Sequence, residues 1–192
     1  MLIYKQTKQE LFTNEVNKIL TKLGKYQFEY IAPCSIDKIN NICTSVNDYT
    51  LFTDRYVEAN LIDIDPTVHW VTNTLRPYVS FDEFELIDDV KITLNGKIQI
   101  VSGIKINKHR KDCKINSGFC YIERHIFHNY LIMFGTKNSK FDIFSDIFSI
   151  KEKYDWLHSV QTELIKLMAD MNSAVFSDHT SSIIPNYDNN RT

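Results

Sequence analysis

Apolar residues near the start recur at helical spacing: Phe12, Val16, Ile19, Leu20 and Leu23 share one face. Thr7 and Glu10 stand at the spacing of a capping box, and Gly24 offers a left-handed stop, so a helix is predicted between them. Tyr26, Phe28 and Tyr30 then alternate with Gln27 and Glu29, the pattern of a half-buried strand ending before Pro33. Ser35 is placed to cap a short helix through Ile36, Ile39 and Ile42. Asn47-Asp48 marks a turn, and residues 49–64 are expected to hold one or two short strands. Asp65-Pro66 joins a good N-cap to a good first helical residue, which predicts a helix through Val68, Val71 and Leu75 closed by Pro77. That capping role accounts for Asp65 without a metal.

From Val90 the period changes to two. Val90, Ile92 and Leu94 precede Asn95-Gly96, and Ile98, Ile100, Ser102, Ile104 and Ile106 follow on one parity, which predicts a hairpin with a long return strand. A three-residue loop, Leu94-Asn95-Gly96, pairs Ile92 with Ile98 and keeps the apolar residues on one face, whereas a two-residue loop does not. Gly103 reads as a bulge or a point of twist in that strand. A second hairpin is expected to turn at Ile115-Asn116-Ser117-Gly118 and return from Phe119 to Phe134, with Tyr130–Phe134 buried on both faces as a central strand. Phe141, Ile143, Phe144, Ile147 and Phe148 form an apolar stretch of undecided type. Ser149 and Glu152 repeat the capping-box spacing before an amphipathic helix marked by Ile150, Tyr154, Leu157, Val160, Leu164, Leu167, Met168 and Met171.

These elements predict an α+β fold: an antiparallel sheet of about 5–6 strands with an N-terminal helix and a long C-terminal helix packed on it. One domain over 1–172 and a flexible polar tail at 173–192 are expected. The 192-residue length, 43% hydrophobic and 24% charged residues fit an ordinary globular domain and exclude a disordered, collagenous or disulfide-dense chain. No apolar run reaches the length of a membrane span, and the first residues lack a signal-peptide pattern, so an intracellular, cytoplasmic setting with reduced thiols is expected. Residue usage adds a skew: 24 Ile, 16 Asn and 17 Lys against 4 Ala and 5 Arg. It points to an A+T-rich gene, hence a virus, a phage, a mobile element or a low-G+C microbe.

The formal net charge of −2 conceals a segregation along the chain. Residues 54–90 carry nine acids against two arginines, and residues 97–140 carry nine Lys or Arg against two acids. The basic residues concentrate at an expected hairpin tip, and Lys105, Lys108, His109, Arg110, Lys111, Lys114 and Arg124 are the candidate anion-binding residues. Tyr121 and Phe127 lie close enough in sequence to stack on bases. His109, Cys113, Cys120, His125 and His128 do not have zinc-finger spacing, and Cys113 with Cys120 is expected as a cross-strand pair of thiols.

No glycine-rich phosphate loop, His-Glu-x-x-His, Gly-x-Ser-x-Gly or Cys-x-x-Cys occurs, so no cofactor, no metal and no catalytic residue are expected. The sequence therefore reads as a non-catalytic interaction protein of viral, phage or mobile-element type. Its basic β-hairpin would contact nucleic acid, an acidic protein surface or an anionic membrane. A self-assembling, matrix-like structural protein is the alternative, with opposite charge patches pairing in a homo-oligomer. A small ribonuclease using His125 or His128 is the third reading.

Overall fold

A computed structural model describes residues 3–6, 10–24, 26, 28–39, 42–45, 56, 61, 64–73, 75–85, 89–94 and 97–181. Among the described residues the strands are β1 (Ile3–Gln6), β2 (Tyr30–Asp37), β3 (Ile42–Ser45), β4 (Tyr78–Ser80), β5 (Val90–Leu94), β6 (Lys97–Val101), β7 (Ser117–Arg124) and β8 (His128–Thr136). The helices are α1 (Glu10–Leu23), α2 (Pro66–Asn73), α3 (Gly103–Asp112) and α4 (Lys151–Ser181), with a 3-10 turn at Phe81–Phe84 and a π-helical turn at Phe144–Phe148. Six strands form one sheet in the order β1-β3-β2-β8-β7-β4, antiparallel except for the β1–β3 pair. Strands β5 and β6 make a separate two-stranded sheet. The predicted class holds: an antiparallel sheet with helices from both ends of the chain packed on it.

Strand alternation sorts the core into two layers. On one face Ile31, Phe119, Tyr130, Ile132 and Phe134 meet Val16 and Leu20 of α1 and Leu157, Val160, Leu164 and Met168 of α4. Aromatic rings fill its centre: Phe119 stacks on Phe134 at 4.7 Å, and Phe28 stacks on Trp156 at 5.9 Å. The Trp156 indole N–H donates to the Gly24 carbonyl at 3.1 Å. Gly24 itself, at φ +79°, ends α1 as its position in the sequence predicts. On the opposite face Ala32, Cys34, Ile36, Cys120, Ile122, Leu131 and Met133 meet Val68 of α2, Ile106 of α3, and Phe81 and Phe84 of the 3-10 turn.

Several local expectations are corrected. The short helix expected from Ser35 is replaced by strand: β2 continues through Pro33 to Asp37, and Ile42 opens β3. The β2–β3 register begins at Cys34, so the missing N–H of Pro33 falls outside that ladder. The β5–β6 register pairs Ile92 with Gln99 and Leu94 with Lys97, which leaves a two-residue connection rather than three. Among the described side chains of this hairpin Val90, Ile98 and Ile100 are exposed and Val101 is buried, so the single buried face assumed for Ile98 and Ile100 is not formed.

The long return strand stops at Val101. Ser102 caps α3, its hydroxyl accepting from the Lys105 N–H at 3.4 Å, and Gly103, Ile106 and Arg110 form the buried face. Accordingly β7 and β8 pair with each other, and their turn lies at His125–His128, where the His125 N–H donates to the His128 carbonyl at 2.9 Å. Cys113 and Cys120 are not a cross-strand pair: Cys113 closes α3 and Cys120 is buried in β7. The Ser149 hydroxyl turns back onto the Ser145 carbonyl instead of closing a capping box with Glu152. Helix α4 runs on to Ser181, nine residues into the expected tail, and residues 182–192 lie outside the described residues, as do Thr7 and most of 49–64.

Candidate functional site

The face under α2 and α3 holds a buried polar cluster. Asp65 is the N-cap of α2, and its Oδ1 accepts the Thr67 N–H at 2.7 Å. The other oxygen, Oδ2, accepts the Tyr56 hydroxyl at 2.9 Å and the Arg110 Nη2–H at 3.1 Å. Arg110 Nη2 also donates to the Thr67 hydroxyl at 3.2 Å. Its guanidinium carbon sits 3.9 Å from the centroid of the Phe81 ring. Asp65, Thr67, Tyr56 and Arg110 are all at most 5% exposed. Three elements, α2, α3 and the 3-10 turn, thus converge with Tyr56 on one point.

The apolar setting explains the electrostatics. Burial, reinforced by the neighbouring Asp65 carboxylate, pushes the Tyr56 hydroxyl well above its ordinary value. Burial does the same to the Cys120 thiol, again with Asp65 adding to the rise. A charged pair enclosed this way offsets its own desolvation only if its hydrogen-bonding capacity is used. Here that use is incomplete. Arg110 Nε is buried and finds no acceptor among the described residues, and neither does Asn129 Oδ1 find a donor.

The expected cationic site is rearranged by the fold. Lys105 Nζ lies 3.0 Å from Asp89, Arg110 is sealed against Asp65, and Lys111 Nζ lies 3.9 Å from Glu85. Three members of the basic stretch are therefore paired with three of the acidic stretch, which were read as lying apart. The cations stand on a helix, not a hairpin tip. His109, Arg110 and Lys111 occupy the last turn of α3, where positive charge complements the helix dipole. Lys108 and Lys114 are exposed. Arg124 lies away on β7 and donates to the Arg76 carbonyl at 3.2 Å. His125 pairs with Glu123 at 2.9 Å and packs on Tyr130 at 5.0 Å, a surface arrangement beside the β7–β8 turn. Among the described residues no group of three or more His, Cys, Asp or Glu is placed to hold a metal, and no helix is long and apolar enough to cross a membrane.

What the sequence did not disclose is that Asp65, Tyr56 and Arg110 act together. Asp65 carried a cap signature that explained it locally. Arg110 stood among like charges with nothing to mark it as the inward one, apart from the 103-106-110 spacing.

No protein-family model matches the chain, and no curated protein matches it. Seventeen chains of solved structure do. One is the N-acylhomoserine lactone dependent LuxR family transcription factor CepR2 from Burkholderia cenocepacia. It is 12% identical with TM-score 0.56 over 83% of this chain and 95% of that one. Another is Escherichia coli SdiA, 10% identical with TM-score 0.55 over 96% of this chain and 69% of that one. A third is SdiA in complex with octanoyl-rac-glycerol, 12% identical with TM-score 0.51; the aligned region takes in 86% of this chain and 62% of that longer one. At these identities what is shared is the fold.

That likeness corrects the functional reading. The fold matches bacterial proteins, one a lactone-dependent transcription factor and another solved with an acylglycerol, so the viral accessory, host-cell, matrix-like and ribonuclease readings are set aside. RNA or other nucleic-acid binding through a basic β-hairpin is set aside with them, since Lys105, Lys108, His109, Arg110 and Lys111 lie on α3 rather than at a hairpin tip, and three of them face carboxylates.

Proposed function

We propose that this chain is a ligand-binding domain that encloses a small amphiphilic molecule with an acyl chain, of the acylhomoserine lactone or acylglycerol kind. The ligand lies against the sheet face beneath α2 and α3. The observation carrying this reading is the Tyr56–Asp65–Arg110 cluster. It is a convergent set of polar groups, incompletely satisfied, within an otherwise apolar layer, which is the composition of small-molecule sites. The likeness to an N-acylhomoserine lactone dependent factor and to SdiA in complex with octanoyl-rac-glycerol supports it. Among the described residues the opposite layer is aromatic and aliphatic, apart from the Tyr78–Gln161 pair, whose hydrogen bonds are made, and α1 and α4 cover it.

Thermal unfolding of the purified chain, titrated with N-acylhomoserine lactones of graded length and with octanoyl-rac-glycerol, tests the reading. A ligand that binds only the folded state at 100 times its Kd adds about 2.7 kcal/mol of stability. The expected result is a saturable rise in Tm of roughly 5–10 °C for at least one chain length. Equal unfolding curves across the whole series would overturn it.

A further inference from the structure

We infer that Arg110 is a specificity-determining residue of that site, its Nε–H donating to the carbonyl oxygen of a neutral acyl ligand and discriminating against the free fatty acid. The inference rests on the proposed binding function and deepens it. Arg110 is 5% exposed. Its Nη2 edge is committed to Asp65 and Thr67, and one flat face is closed by the Phe81 ring. Nε–H is left as a buried donor without an acceptor among the described residues, which a folded protein rarely tolerates unless something else supplies one.

The complementary group must be an acceptor. Asp65, the buried acceptor of the cluster, already receives three donors, from Tyr56, Arg110 and the Thr67 backbone. A ligand group that lacks an oxygen facing Nε would leave the orphan in place. Charge decides which oxygen. Asp65 and Arg110 already balance, so a carboxylate brought beside them would add an unpaired negative charge to an apolar layer, whereas an ester, amide or lactone carbonyl would not.

The test uses the full chain labelled with 15N, reading the Nε–H resonances of its five arginines. Arg110→Lys identifies the Arg110 signal by its loss, while keeping a cation beside Asp65; backbone-linked assignment identifies it independently should that variant unfold. Octanoyl-rac-glycerol is expected to move the Arg110 Nε–H signal downfield and slow its exchange. Octanoate at neutral pH is expected to bind at least about tenfold more weakly, as is octanoyl-rac-glycerol to folded Arg110→Lys. Saturable binding of octanoyl-rac-glycerol with the Arg110 signal unmoved would overturn the inference and leave the ligand-binding reading standing. Octanoate binding as tightly as the ester would overturn the neutral-head specificity. Absence of binding by any acyl compound would overturn both.

Discussion

Single residues in the α2–α3 layer carry properties that only enclosure produces. Cys120 is fully buried beside Asp65, and Cys34 lies buried in the same layer, whereas Cys113 at the end of α3 is partly exposed. A thiol reacts as its thiolate, and burial withholds that form. A soluble monothiol reagent at pH 8 is therefore expected to label Cys113 in the folded chain and spare Cys34 and Cys120 until unfolding, as read by peptide mapping. Alkaline stability follows from the same cause. Cys120 and Tyr56 are held above their ordinary values of 9.0 and 10.0, so the folded chain keeps protons that the unfolded chain releases. Their contribution is whole below about pH 9 and declines as pH climbs through the raised values, so denaturant midpoints should fall from pH 9 to 11. Rapid native labelling of Cys120, or a midpoint that rises over that interval, would contradict the enclosure.

At the scale of elements, legibility followed how local each cause was. Helix α1 and its Gly24 stop, the Asp65-Pro66 opening of α2 and the buried stripe of α4 were plain in the sequence because capping and periodicity act within a few residues. Helix α3 was hidden because Ile104 and Ile106 extend the alternation of β6, yet only Ile106 is buried and Ile104 faces out. The deciding features are Ser102 as cap and the cations of the last turn, both easily read as hairpin chemistry. The β5–β6 register failed for a different reason: it assumed that Ile98 and Ile100 are buried, and both are exposed. Gly118 shows tertiary demand at one point in β7. At φ +155°, a Cβ there would run into the Phe134 carbonyl and meet the Phe81 ring at 2.7 Å, the same ring that covers Arg110. Gly118→Ala is expected to lower stability by about 1–3 kcal/mol in chemical denaturation. Ile98→Thr on the exposed hairpin should stay within about 0.5 kcal/mol. Equal effects at the two positions would contradict the packing described for β7.

For the molecule as a whole, the charge segregation along the chain is partly cancelled in space. Asp65, Glu85 and Asp89 come from the acidic stretch, Arg110, Lys111 and Lys105 from the basic one, and the fold places them in pairs. Linear charge patterns report partners only when the fold keeps them apart, and pairing between α3 and the region before it could not be read without the topology. The sheet then divides the molecule into unlike halves: an aromatic layer closed by α1 and α4, and a layer with buried polar groups beneath α2 and α3. The central claim is that the second layer is where a ligand sits. Methyl chemical shifts, recorded with and without saturating octanoyl-rac-glycerol, test it most directly. Ile106, Ile115, Ile122 and Leu131 should shift while Ile31, Ile147, Leu157 and Leu164 hold still. Shifts confined to the α1–α4 layer, or none in either, would contradict the account.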